Sequence, residues 1–270
     1  DLCTEKDLER LMLRDLFLKT DKPIFKWNHY FEIYEELFSS YRNKEVKILE
    51  IGILGGGSLS LWKEYFGDKC KVVGIDIDPT CKKYEDLDKN ISVYIGSTSD
   101  SDFLSKVIES EGYFDIVIDD GAHTNLTVMT AFKQLSKVTN HIYVVEDTHS
   151  LLFLNTLNSF FRDIYACFAA KHIKFSKKIT NLASLVISIL RLDYSFYNLA
   201  KDISSKITTD RHGFIFSKQK FYKDHKKLIV SSGKLTEFVK NLVSISFFDS
   251  LIIFKYNKNI NERTFAEKNF

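Results

Sequence analysis

Cysteine is scarce in this 270-residue chain: Cys3, Cys70, Cys81 and Cys167, none of them in a C-x-x-C pair. A chain of this length can build a core without disulfide staples, so the four read as free thiols of a reducing compartment. An excess of one charge is missing too. The net charge is +2, which gives no reason to expect a nucleic-acid partner. A mildly basic stretch from Lys218 to Lys227 reads as a solvated helix face. Long hydrophobic runs are also absent. The most apolar stretch, "ASLVISIL" from Ala183 to Leu190, is far too short to span a bilayer. The opening "DLCTEKDLER" has no signal-peptide apolar core. There is no internal repeat and no low-complexity tract. The expectation is a soluble, cytoplasmic protein without a transmembrane segment, and a homo-oligomer is compatible with it.

The hydrophobic fraction is 44%, which excludes wholesale disorder and suits one large domain or a domain with an insertion. "HYFEIYEELF" has helical spacing, with Tyr30, Ile33, Tyr34 and Leu37 on one face. Five apolar runs then read as buried strands: "EVKILEIGI", "CKVVGIDID", "ISVYIGS", "FDIVIDDG" and "HIYVVED". Helical segments separate them, most clearly Asp102 to Ser110 and Leu126 to Lys137. This alternation predicts an α/β fold with a doubly wound, Rossmann-like sheet. "LVSISFFDSLIIFKYN" adds two strands joined at Phe248–Ser250, so they are antiparallel. The expected divisions are an N-terminal helical segment (1–45), a Rossmann-like core (46–149), a mostly helical insertion (150–238), a terminal hairpin completing a seven-stranded sheet (239–257) and a tail (258–270). Within the insertion, "LNTLNSFFRDIYACFAAKHI" reads as amphipathic helix and "GFIFS" (Gly213 to Ser217) as strand.

The first strand leads into Glu50, Gly52, Gly55, Gly56, Gly57 and Ser58. In a doubly wound sheet, ligands bind beyond the carboxyl ends of the strands. Glycines there allow positive φ and close approach of a ligand, although such a turn can also serve only to pack helix on strand. Two ligands fit: a dinucleotide or S-adenosylmethionine. The turn has no lysine or arginine and carries Glu50, which suits an ammonium and a sulfonium better than a pyrophosphate. Asp76 at the end of the second strand suits ribose hydroxyls. Ser97 and Thr98 after the third strand are candidates for the adenine, with plain loop capping as the competing reading. Asp119 is placed on the same donor side.

The fourth and fifth strands end in "IDDGAH" and "VVEDTH". Charges at such ends are costly unless they face something. Asp120, Glu146 and Asp147 offer three hard oxygen ligands, which points to Mg²⁺ or Ca²⁺. Such an ion lowers the pKa of an acceptor hydroxyl. His123, three residues after Asp120, is a candidate general base. The competing readings are a helix cap for Asp119 or Asp120 and a surface role for His123. An iron site from His123, His149 and Asp120 leaves Glu146 and Asp147 unexplained.

"LEIGILGGGSL", "GIDID" and the terminal hairpin together resemble the class I S-adenosylmethionine-dependent methyltransferases. "IDDGAH", "VVEDTH", "KTDK" from Lys19, "HYFEIYEELF" and "SISFFDSLIIFKY" are similar to the metal-dependent sugar O-methyltransferases of macrolide tailoring. They are similar, too, to the group called cephalosporin hydroxylases and rhamnosyl O-methyltransferases. The resemblance implies Asp120, Glu146 and Asp147 as magnesium ligands and His123 as the base. "GSTSD" lacks a glutamine that relatives often carry there, and the insertion matches nothing in the group. The implied function is Mg²⁺-dependent O-methylation of a sugar or sugar-containing metabolite, with a capsule or surface-glycan pathway as one setting. The acceptor is then a small molecule or glycan. His149 is a candidate acceptor contact, with capping or packing as the competing reading, and Tyr194 and Tyr197 are candidate stacking partners for a sugar, with plain core as theirs. The rival readings are a nicotinamide-dependent oxidoreductase and a non-catalytic partner subunit that keeps the fold.

Overall fold

The computed structural model describes residues 12–152, 200 and 241–257. Its centre is a seven-stranded sheet of order β3-β2-β1-β4-β5-β7-β6. The strands are β1 (Val46–Ile51), β2 (Cys70–Asp76), β3 (Ile91–Ile95), β4 (Phe114–Asp119), β5 (Thr139–Val145), β6 (Leu242–Phe248) and β7 (Leu251–Tyr256). The first five pair in parallel, and β7 runs antiparallel to both β5 and β6. All five expected parallel strands and the terminal hairpin are present.

The helices are α1 (Leu13–Lys19), α2 (Asn28–Phe38), α3 (Gly57–Phe66), α4 (Ser101–Glu111), α5 (Asn125–Leu135) and a single turn, α6 (His149–Leu152). They cover both faces of the sheet. Successive strand residues point to opposite faces, so Ile48 packs with Tyr34, Phe38, Trp62 and Phe66 from α2 and α3. Leu49 packs on the other side with Leu104, Phe132 and Leu135 from α4 and α5. Because both faces are covered, the central strands are apolar almost throughout.

Local chemistry sets where the helices begin. Asp100 caps α4 by accepting the amides of Asp102 and Phe103. Thr124 caps α5 by accepting the amide of Thr127. The cap of α5 is therefore Thr124, and the helix-cap reading of Asp119 and Asp120 falls away. The amphipathic helix expected at Leu154 to Ile173, the strand expected at Gly213 to Ser217, nearly all of the proposed insertion and the tail lie outside the described residues. So do Tyr194 and Tyr197.

Candidate active site

Strand register brings the acidic ends together. Ile51 pairs with Asp119, and Asp119 pairs with Val145. The next residues, Asp120 and Glu146, therefore leave the sheet side by side. Two backbone bonds hold that exit: the Asp120 amide donates to the Ile51 carbonyl and the Glu146 amide to the Asp119 carbonyl, at 3.0 and 2.9 Å. Beyond these ends lies a cavity of about 630 Å³.

One wall of the cavity is the turn between β1 and α3. Gly52 has φ +85°, and a Cβ there would lie 2.2 Å from the Asp120 carbonyl oxygen. Any other residue at 52 would push β1 and β4 apart at the site. Gly56, at φ +68°, caps α3 under the ring of Tyr84. Asp76 lines the same cavity, and its carboxylate accepts the amides of Ile53 and Leu54, both at 3.0 Å, and that of Asp78 at 2.9 Å. Ser58, Ser97 and Thr98 also line it. Gly55 sits in the same turn against the Pro23 ring but does not line the cavity.

Asp120, His123 and Asp147 line the same cavity at the ends of β4 and β5. One ligand atom from each lies within 4.8 Å of the other two. His123 Nε2 is 3.6 Å from Asp120 Oδ1 and 3.5 Å from Asp147 Oδ2. Both His123 and Asp147 hold φ +50°. Left-handed backbone is unfavourable for a residue with a Cβ, and it recurs where a site requires a fixed side-chain direction.

Glu146 stands one layer deeper than Asp147. It is 2% exposed, and its Oε1 accepts from Tyr34 Oη at 2.6 Å and from Lys26 Nζ at 2.7 Å. Lys26 is the feature that sequence reasoning missed. Its ammonium is buried, donates to Asp120 Oδ2 at 2.5 Å and lies 3.6 Å from Glu50 Oε1. Burial alone would lower the Lys26 pKa, but Glu146, Asp120 and Glu50 together hold it well above the ordinary lysine value. Burial pushes the carboxyl of Glu146 up while Lys26 pulls it down. Glu50 is fully buried and does not line the cavity. Burial raises its pKa against the pull of the Lys26 ammonium. The cation that Glu50 faces here is thus Lys26.

Asp119 lies behind the strand end, 2% exposed, where it faces the Tyr143 hydroxyl at 3.4 Å and is not part of the cavity lining. Burial pushes its carboxyl up to about 7, with the neighbouring charge of Asp120 adding to that and the Gly121 amide opposing it. His149 Nδ1 is 2.6 Å from Ser250 Oγ in the β6–β7 turn, and its ring meets Trp27 edge-on. The first turn of α2 reaches the site as well. Trp27 Nε1 and Tyr30 Oη each approach Asp147 Oδ1, at 2.9 and 3.0 Å. Tyr30 and Tyr34 were legible as a buried helix face, but the aim of their hydroxyls at Asp147 and Glu146 was not.

No family model matches the chain. Part of it is similar to curated sugar O-methyltransferases. It is 38% identical over 130 residues to the 8-demethyl-8-(2-methoxy-alpha-L-rhamnosyl)-tetracenomycin-C 3'-O-methyltransferase of Streptomyces olivaceus, covering 45% of this chain and 32% of that protein. It is 37% identical over 145 residues to the mycinamicin VI 2''-O-methyltransferase of Micromonospora griseorubida, covering 50% of this chain and 35% of that one. The match thus spans about a third of the length of these relatives. Among solved structures, the MycE methyltransferase in complex with Mg and SAH superposes with a TM-score of 0.62 at 22% identity, over 96% of this chain and 57% of that one. The core has the class I S-adenosylmethionine-dependent methyltransferase fold. In that fold the cavity beside Gly52 and Asp76 lies at the carboxyl ends of the parallel strands, where ligands of doubly wound sheets bind. Among the described residues, no helix is long and apolar enough to cross a membrane.

Proposed function

We propose that this chain is an S-adenosylmethionine- and Mg²⁺-dependent O-methyltransferase acting on a sugar hydroxyl of a small glycosylated metabolite. The observation that carries the reading is the junction of two half-sites in one cavity. A glycine turn with Asp76 and the group Asp120, His123 and Asp147 line it together. The residues fit both groups. The turn lines the cavity with backbone and is ordered by the Asp76 carboxylate, and Asp120 and Asp147 offer hard oxygen donors to the same cavity. Asp76 would hold the donor ribose, and Asp120, Glu146 and Asp147 would hold the metal. Bound donor supplies an electrophilic methyl group on a sulfonium, and bound Mg²⁺ supplies a Lewis acid for the acceptor.

The chain's own contribution is position and a proton acceptor. His123 Nε2 stands between two carboxylates, where it can take the hydroxyl proton as the oxygen is methylated. Asp147 holds that imidazole from the β5 side, while Trp27 and Tyr30 hold Asp147. A second cavity of about 440 Å³ adjoins the first and is lined by Phe25, Lys26, Trp27, Glu146 and Asp147. Its aromatic wall suits the flat face of a sugar ring, and we place the acceptor there, with His149 behind Trp27. The acceptors for which these relatives are named are a rhamnosyl tetracenomycin and mycinamicin VI, which supports a small glycosylated metabolite and not a polysaccharide.

The test is incubation of purified protein with S-adenosylmethionine, Mg²⁺ and pools of nucleotide sugars and glycosides, read by mass spectrometry. A mass gain of one methylene on a sugar-containing species is expected. Tight NAD binding without any response to S-adenosylhomocysteine would overturn the reading.

A further inference from the structure

The acidic cluster already holds one cation of the chain's own. Glu50, Asp120 and Glu146 close around one ammonium, that of Lys26, whose side chain is 3% exposed. Among the described residues Lys26 is the one cation ion-paired to Glu50 or Glu146. Two of its three carboxylates, Asp120 and Glu146, are also two of the residues that the proposed function gives to the metal. Lys26 already occupies Asp120 Oδ2 and Glu146 Oε1, so a divalent ion held by these two carboxylates would stand within a few ångströms of its ammonium. Lys26 also lies in the stretch between α1 and α2, without helix or strand of its own, so its departure disturbs no helix or strand hydrogen bond.

We propose that Lys26 is a resident counter-cation that competes with the divalent ion for Asp120 and Glu146. It keeps both carboxylates paired when no metal is bound, and so sets how tightly metal binds. Two carboxylates this close, with Glu146 fully buried and Asp120 largely so, would repel and would be costly to hold without a cation. With Lys26 present, an incoming ion must displace a unit positive charge from the site or bind beside it. Either route weakens metal affinity by Coulomb repulsion over a few ångströms in a medium of low effective dielectric. The inference rests on the metal site of the proposed function, and it concerns affinity rather than turnover.

The test is titration of the full chain with Mn²⁺, followed by calorimetry and by the loss of the free-ion paramagnetic resonance signal. Lys26→Gln should bind Mn²⁺ at least about tenfold more tightly than wild type, because the competitor is gone. Lys26→Arg keeps the charge and should stay within about threefold of wild type. Saturating Mn²⁺ should raise the unfolding temperature of Lys26→Gln more than that of wild type. A merely structural lysine would produce neither effect. The proposal falls if Lys26→Gln, shown to be folded by its thermal transition, binds Mn²⁺ no more tightly than wild type. It also falls if that variant cannot be recovered folded even with Mn²⁺ present, since Lys26 would then do something that a divalent ion cannot replace. S-adenosylhomocysteine titration of wild type separates the two readings: its failure would sink the methyltransferase assignment, while tighter Mn²⁺ binding by Lys26→Gln would still stand.

Discussion

His123 and Asp147 face each other across the ends of β4 and β5, with Nε2 3.5 Å from Oδ2, and both carry a backbone φ of +50°. The segments that follow two neighbouring strands thus share the same unfavourable conformation, and each aims a functional side chain at the other. For residues with a Cβ, that conformation costs on the order of 1–2 kcal/mol. Its occurrence at both members of one pair ties the strain to the site.

The strain can be measured. His123→Ala loses the ring but keeps the Cβ, whereas His123→Gly loses both. Glycine adopts φ +50° without the steric cost, so His123→Gly should be more stable than His123→Ala by about 1 kcal/mol in urea unfolding. Equal stability of the two variants would mean that the backbone at 123 is relaxed.

Donor binding rests on Asp76, whose carboxylate both orders the glycine turn through the Ile53 and Leu54 amides and lines the cavity. Asp76→Ala should weaken S-adenosylhomocysteine binding by about 1.5–3 kcal/mol, the usual range for hydrogen bonds to a charged group. Calorimetry checks this. An unchanged affinity would remove Asp76 from the donor site.

Much of this arrangement was legible because buried parallel strands are apolar on both faces, so β1 to β5 stood out as short runs, each ending in the residues that matter. Ser97, Thr98, Gly52, Gly56, Ser58, Asp76, Asp120, His123 and Asp147 all reach the cavity or its turn. Lys26 was not legible. Lysine is almost never fully buried, and its burial here depends on carboxylates 94 and 120 residues further along the chain. No local pattern encodes that. The depth of Glu50 and Asp119 was hidden for a related reason. A strand-end carboxylate looks the same in sequence whether it faces the ligand or the core.

Metal dependence rests on Asp147. Chelation with EDTA should abolish methyl transfer and Mg²⁺ should restore it. Asp147→Asn should cripple turnover yet leave S-adenosylhomocysteine affinity within about threefold, because Asp76 and the glycine turn are untouched. Full activity in chelator would reduce these carboxylates to ion-pair partners of Lys26 and His123.

Away from the site, Glu111 predicts a pH effect on stability. Its carboxylate is buried against Lys71 at 2.7 Å and accepts from Tyr94 Oη at 2.9 Å. Burial pushes its pKa up, but Lys71, Tyr94 and Lys47 outweigh that and leave it below the usual 4.5. A depressed folded-state pKa means that the unfolded chain binds the proton more readily. The stabilisation is therefore present above the unfolded value and lost as pH falls through the folded one. Glu111→Gln should cost about 1 kcal/mol at neutral pH, since the half-exposed Lys71 is screened by solvent. The difference from wild type should shrink towards zero near pH 3. A difference that stays constant with pH would assign the effect to packing.

The last prediction concerns the proton. His123 Nε2 lies between Asp120 and Asp147, on the wall of the cavity that also carries the glycine turn. Once an acceptor is found, His123→Ala should lower kcat by roughly 10²–10⁴-fold, the usual worth of a positioned base. Donor binding should survive, because the substitution leaves Asp76 and the glycine turn in place. With an imidazole as base, the wild-type rate should rise with pH through one ionisation near neutrality, and the variant should lose that limb. Metal assistance opposes this, since a Lewis acid that lowers the pKa of the acceptor hydroxyl makes a base less necessary. The two contributions separate in the pH–rate profile of the variant at saturating Mg²⁺. If kcat falls less than about tenfold and the limb persists, His123 orients the acceptor and Asp120 while the ionisation belongs to the hydroxyl. If the limb disappears with the expected loss, the ring between the two carboxylates is the group that takes the proton.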